Sequence, residues 1–158
     1  MEVKFPIVVE RYALAPDSGG AGRHRGGLGI DRVVRARTSM TLNTQIDRAH
    51  CKPWGLEGGL EGTGNEVSVR NAGVWKTDFP NAKVLIARLE PGDAFRVRSG
   101  GGGGHGSPLE RPVDAVANDV RQGYVSVEAA AELYGVVVNP ITLEIDIVAT
   151  ERLRATRK

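Results

Sequence analysis

The chain has 158 residues, 41% apolar and 25% charged, with a net charge of +2. That length suits one domain with a real core, and the composition fits neither collagen nor wholesale disorder. So small a basic surplus is weak support for a polyanion partner, and 5% aromatics leave little for stacking single-stranded nucleic acid. The single cysteine, Cys51, excludes an intrachain disulfide and every cysteine-rich zinc pattern. Residues 1–6 lack the basic and apolar regions of a signal peptide. No apolar run reaches the roughly 18 residues of a membrane span. The expectation is a cytoplasmic protein. Glycine is the outlier, at 21 of 158 residues, about 13% against an ordinary value of about 7%.

Residues 5–12 (FPIVVERY) are apolar and β-branched and predict a strand. Residues 13–29 hold six glycines and a proline, too irregular for a helix or a long strand. Strand-like composition returns at 30–37 (IDRVVRAR) and 40–45, before a second glycine-rich stretch at 52–65. Residues 66–70 (EVSVR) alternate and place Val67 and Val69 on one face. Residues 83–89 predict a strand, followed by a turn at Glu90-Pro91-Gly92-Asp93, where proline presets φ and glycine accepts φ > 0 next. Phe95 and Val97 then alternate with Arg96 and Arg98 before the run Gly100, Gly101, Gly102, Gly103, Gly104.

Beyond that run the period changes. Val113, Val116, Ala117 and Val120 recur at helical spacing between Pro112, suited to a first turn, and Gly123, suited to a C-cap. Ser126 can cap a second short helix with Val127, Ala130, Ala131 and Tyr134 inward and Gly135 ending it. Ile141, Leu143, Ile145, Ile147 and Ala149 alternate with Thr142, Glu144 and Asp146, which predicts a final amphipathic strand; residues 150–158 form a basic tail that can continue as a short helix. A block of strands before helices predicts an α+β fold, mostly β. Its antiparallel or mixed sheets carry glycine-rich loops, with two short helices near the C-terminus and the final strand.

Three readings of the glycine run stand side by side. Its N–H groups can form an anion nest, it can pack tightly against another backbone where no Cβ fits, or it can be a linker. His105 and Gly106 lack the Lys and Ser/Thr of a P-loop. Arg23 and Arg25, set among glycines with His24, can fork onto phosphate or carboxylate, or pair with carboxylates at a subunit contact. His50 and Cys51 are adjacent, so on a strand they face opposite ways and do not readily share a metal; the plainer reading is a small buried thiol beside an ordinary histidine. His24, His50 and His105 converge only if folding brings them together. Trp54 and Trp75 read as packing anchors. No Gly-x-Ser-x-Gly, His-Glu-x-x-His or Cys-x-x-Cys motif is present, and no metal ligand set is expected in the chain itself. The residues support a packing subunit better than a complete enzyme.

The order of the segments says more than any one of them. DSGGAGRHRGGLG at 17–29 is followed by PWGLEGG at 53–59, PGD at 91–93, the glycine run ending GSPLER at 106–111, VRQGYVSVEAA at 120–130 and YGVV at 134–137. Over residues 5–154 this series resembles the C-terminal part of the hydantoinase B subunit family. That family includes the matching half of 5-oxoprolinase and subunits of acetone and acetophenone carboxylases. His105 and Ser107 depart from the pattern, which leads one to expect an aromatic and an acid there. The resemblance implies a single domain over 1–158, equivalent to the last segment of a hydantoinase B-like subunit and separately encoded. In that respect it is most similar to the small (beta) subunits of acetophenone carboxylases. It implies a heteromeric, ATP-dependent, biotin-independent ketone carboxylase. ATP would convert bicarbonate to carboxyphosphate and the ketone to a phosphorylated enol, and the product would be a β-keto acid. The alternative within the family is an ATP-dependent hydantoinase or 5-oxoprolinase that opens a cyclic amide; outside it, a freestanding β-rich binding module. The resemblance places ATP and a divalent metal (Mg or Mn) mainly on a larger hydantoinase A-like partner, with a larger hydantoinase B-like subunit alongside and no nucleic acid or membrane. The ligand or interface candidates of this chain are Arg23, Arg25, Gly100 to Gly104 and His105.

Overall fold

The computed structural model describes residues 2–157. They fall into two compact units, each assembled from three stretches of chain.

The first unit comprises residues up to 15, 29–52 and 64–100. Its strands are β1 (Ile7–Leu14), β2 (Ile30–Ala36), β3 (Met40–Thr44), β4 (Glu66–Asn71), β5 (Val74–Lys76), β6 (Val84–Leu89) and β7 (Ala94–Arg98). They form a five-stranded sheet, order β1-β2-β7-β4-β5, and a two-stranded sheet β3-β6. All strand pairs are antiparallel. The sequence places each of these strands within two residues except β5, which it misses. β5 follows a hairpin turn in which Ala72 and Gly73 both take positive φ, 47° and 85°, the geometry that matches the twist of the strands. The predicted turn before β7 forms, with Gly92 at φ 97° and the Asp93 N–H donating to the Glu90 carbonyl at 2.9 Å. The core draws on both sheets: Val67 and Val69 of the large one are both buried, as their alternation predicts, in one cluster with Ala36 and with Leu42, Val84 and Leu89 of the small one.

The second unit comprises residues 16–28, 53–63 and 101 onward. Its helices are α1 (Val113–Arg121), α2 (Val127–Tyr134) and α3 (Ile147–Ala155). The caps of the first two form as read: Pro112 precedes α1, Ser126 Oγ accepts from the Ala129 N–H at 3.0 Å, and Gly135 ends α2 in the left-handed region. Val116, Val120, Ala130, Tyr134, Val136 and Val138 form the core, with Ala21 from the first glycine stretch.

The α+β class holds, but the final strand does not. Asn139 Oδ1 accepts from the N–H groups of Ile141 and Thr142 at 2.8 and 3.0 Å, turning the chain at once. Only an isolated bridge, Val138 to Ile145, follows. Asp146 Oδ1 then caps α3 through the Ala149 N–H at 2.9 Å. The alternating aliphatics are therefore not a buried face, and Ile141 is 89% exposed. What α3 buries is polar: Thr150 Oγ1 accepts from the Val137 N–H at 3.0 Å, and the Arg154 guanidinium donates to the carbonyls of Tyr134 and Arg111 at 3.1 and 2.9 Å. Thr150 and Arg154 lie four apart, on one helix face.

Candidate functional site

The glycines of the second unit make a layer in which backbone packs on backbone. The run from Gly101 lies between two neighbours. The Gly20 N–H donates to Gly102 O at 2.8 Å, and the Gly102 N–H to Gly27 O at 2.9 Å. On the other side the Leu56 N–H donates to Gly104 O, and the Gly104 N–H to Leu60 O, both at 2.9 Å. No side chain fits between such close backbones: a Cβ on Gly26 would stand 2.0 Å from Gly102 O, and one on Gly103 1.9 Å from Trp54 O. Tight packing is thus the geometry of the run. The N–H groups of Gly102 and Gly104 are committed within the layer, and that of Gly100, in the first unit, donates to Asn65 Oδ1 at 2.7 Å. These three offer no open phosphate cradle.

The two arginines of the first glycine stretch part company. Arg25, with its side chain 15% exposed, pairs with Asp119 (Nε to Oδ2, 3.1 Å), donates from Nη1 to Gly26 O at 2.7 Å and lies over the Tyr124 ring. Asp119 on α1 is 5% exposed and also holds Arg111 (Nη2 to Oδ2, 2.8 Å). Arg111 in turn donates to the Arg23 carbonyl at 3.1 Å. One carboxylate therefore anchors two arginines and fixes the loop to the helices. Arg23 itself is exposed. Nothing in the sequence pairs Asp119 with Arg25, which is 94 residues away. Burial pushes the nearby Tyr134 phenol up to about 12.

His24 and His105 do converge. They exchange both backbone hydrogen bonds at 3.0 Å, and their ring centroids stand 6.0 Å apart. His105 Nε2 lies 3.4 Å from Glu57 Oε2. His50 is not among them, and Cys51 is exposed rather than the buried thiol expected. The tryptophans are not buried anchors either: Trp54 is 72% exposed, and Trp75 lies under the Arg70 guanidinium. Among the described residues, no group of three or more His, Cys, Asp or Glu side chains is placed to hold a metal ion. Nor, among them, is any helix long and apolar enough to cross a membrane.

In the first unit, Asp31 is 2% exposed yet carries charge. Arg96 grips it with two bonds, at 2.6 and 2.7 Å, and Arg11 adds a third at 2.8 Å. The Arg96 hydrogen bond, helped by the charges of Arg96, Arg11 and Arg98, outweighs burial and holds the carboxyl below the usual range.

The family model for hydantoinase B/oxoprolinase matches residues 1–108. The chain belongs to that family. It is 34% identical over 156 residues to an uncharacterised protein of Methanocaldococcus jannaschii, covering 98% of this chain and 27% of that one. It is 32% identical over 160 residues to the caprolactamase subunit beta of Pseudomonas jessenii, covering 98% and 27%. The crystal structure of that ATP-dependent caprolactamase matches the fold with a TM-score of 0.84, at 28% identity over 98% of this chain and 27% of the other. The acetone carboxylase alpha subunit of Xanthobacter autotrophicus is 28% identical over 171 residues, covering 87% of this chain and 22% of that subunit. This hydantoinase B-type chain thus spans about a quarter of the length of the curated relatives it matches.

Proposed function

We propose that this chain supplies a scaffold segment of the hydantoinase B-type part of an ATP-dependent hetero-oligomer acting on a carbonyl substrate. The observation that carries this reading is the match of 98% of the chain, in sequence and in fold, to a subunit of an ATP-dependent caprolactamase. The residues agree with a scaffold role. The glycine N–H groups and Asp119 are spent on internal bonds. Large apolar side chains face outward in both units: Leu85 and Ile86 in the first, Trp54, Ile141, Ile147 and Val148 in the second. Such groups call for a protein covering. The larger hydantoinase A-like and B-like subunits are the partners proposed, with ATP and Mg or Mn mainly on the former and no biotin.

Two substrate classes follow. Opening of a cyclic amide is favoured by the caprolactamase match, which is higher in identity and covers more of the chain than the acetone carboxylase match. Carboxylation of a ketone, acetophenone carboxylase-like and yielding a β-keto acid, is the second reading, supported by the acetone carboxylase alpha subunit. Assay of the assembled complex with ATP separates them: lactam or hydantoin ring opening supports the first, label from bicarbonate entering product the second. A stable, cooperatively melting monomer of this chain with no affinity for either larger subunit would sink the assembly reading. Of Arg23 and Arg25, Arg23 is the one whose side chain is exposed to meet a ligand or partner, so Arg23→Ala is expected to lower complex turnover or assembly while leaving the melting of this segment unchanged.

A further inference from the structure

We propose that an open groove on the first unit receives an apolar side chain, with a carboxylate beside it, from the larger hydantoinase B-like partner. This docking site presupposes the assembly proposed above. The groove holds about 410 Å³ and runs over Phe5, Ile7, Val34, Met40 and Phe95, with Arg32 in its wall. Residues Arg32, Val34 and Ala36 of β2 share one face, and Val34 stands beside Phe95 of β7 in the ladder. The chain then leaves the large sheet for β3, which begins at Met40. The Arg37 N–H donates to Pro6 O at 2.9 Å and Ile7 pairs with Ala36, which fixes residues 5–7 beside the end of β2.

Charge decides what fits. On the opposite face of the same sheet the arginines are paired: Arg11 and Arg96 hold Asp31, and Arg35 and Arg70 hold Glu10. Arg32 is half-buried and, among the described residues, has no carboxylate within ion-pair distance. Glu90, which binds the rim residue Ser39, is taken up by Arg88 at 2.6 Å. A cover of apolar groups alone would strip water from the Arg32 guanidinium and leave it unpaired, a cost that a carboxylate on the cover offsets. The groove is too open to enclose a small free carboxylate as ligand pockets do. In the relatives, the matched stretch is 27% of one polypeptide, so the rest of that polypeptide is tethered beside it. The larger hydantoinase B-like partner stands in that place here.

The test is calorimetric titration of the full chain with the larger hydantoinase B-like subunit. Arg32→Glu should weaken the wild-type affinity at least about thirtyfold, because it sets two acids against each other. Thr41→Trp fills the groove from its exposed rim and should weaken it at least about tenfold. Arg32→Lys keeps the charge and should stay within about fivefold. All three should melt within about 3 °C of wild type. A second measurement needs no variant: amide exchange over residues 37–41 of wild type should slow at least about tenfold when the subunit is added. Wild-type binding that Arg32→Glu and Thr41→Trp leave unaltered, or that does not slow exchange over residues 37–41, overturns the site and leaves the assembly standing. No wild-type binding overturns both. Self-association of the chain that Thr41→Trp abolishes would give the groove to a second copy. Saturable binding of sodium hexanoate that Arg32→Glu abolishes would give it to a free carboxylate. Either result overturns the docking site.

Discussion

Gly26 and Gly27 are adjacent, yet the structure gives them opposite tolerance for a methyl group. A Cβ on Gly26 would stand 2.0 Å from Gly102 O and 2.8 Å from Gly103 O, whereas one on Gly27 meets nothing within 4 Å. To accept Gly26→Ala the two backbones must separate by more than about 1 Å to regain normal contact. That stretches the Gly20 to Gly102 and Gly102 to Gly27 bonds, now 2.8 and 2.9 Å, beyond hydrogen-bond range. Two backbone bonds are worth about 1 kcal/mol each, and the forced packing costs about 1–3 kcal/mol more. Gly26→Ala is therefore expected to destabilise by about 3–5 kcal/mol, a fall of roughly 10 °C in Tm for a chain of this size. Gly27→Ala should be neutral or stabilise by up to about 1 kcal/mol, because alanine restricts the unfolded chain. Urea unfolding followed by circular dichroism measures both, comparing midpoints at equal slope. If the two variants agree within about 0.5 kcal/mol, the close-packed layer does not exist as described.

Asp119→Asn leaves Arg25 and Arg111 buried against a neutral amide, and a loss of about 3–5 kcal/mol is expected in the same assay; a change below about 1 kcal/mol would remove Asp119 as the anchor. Ser126→Ala removes the bond to the Ala129 N–H and should cost about 1 kcal/mol; an unchanged midpoint would show that the cap contributes nothing. Asp31 has its folded pKa depressed, chiefly by Arg96, so its stabilisation is complete above the unfolded value near 3.9 and is lost as pH falls through the lower folded value. Acid titration of Asp31→Asn should thus lack part of the wild-type loss of stability below about pH 4, and superimposable slopes would contradict this.

Local signals were legible and distant ones were not. The caps of α1 and α2, the Pro91-Gly92 turn and the Val67/Val69 face each depend on residues a few positions apart, so propensity and period sufficed. The last strand does not form because the alternation over residues 141–149 is overridden by two stronger local cues: Asn139-Pro140, a turn starter, and Asp146, a helix N-cap. β5 is only three residues long, and its Ala-Gly turn lacks the usual Asn-Gly signature. The Arg25–Asp119 pair and the His24–His105 pair join residues some 80 or more apart, which no spacing rule reaches. The glycine run posed a subtler problem. Its composition allowed an anion nest, a linker or close packing, and only the partner backbones decide among them.

That decision bears on what the chain can do. A phosphate nest needs N–H groups aimed at open space, while the run from Gly101 turns those of Gly102 and Gly104 into its neighbours. The layer instead holds segments 16–28, 53–63 and 101–107 in register without side chains between them. The backbone at its rim, which carries His24, Glu57 and His105, is therefore held by the layer. Rigidity of this kind suits groups that must meet a partner at a fixed spacing. It also predicts where the chain will not tolerate change: a substitution in the layer should disturb rim groups it does not touch. If Gly26→Ala destabilised the chain yet left the imidazole NMR resonances of His24 and His105 unshifted, that dependence of the rim on the layer would be wrong.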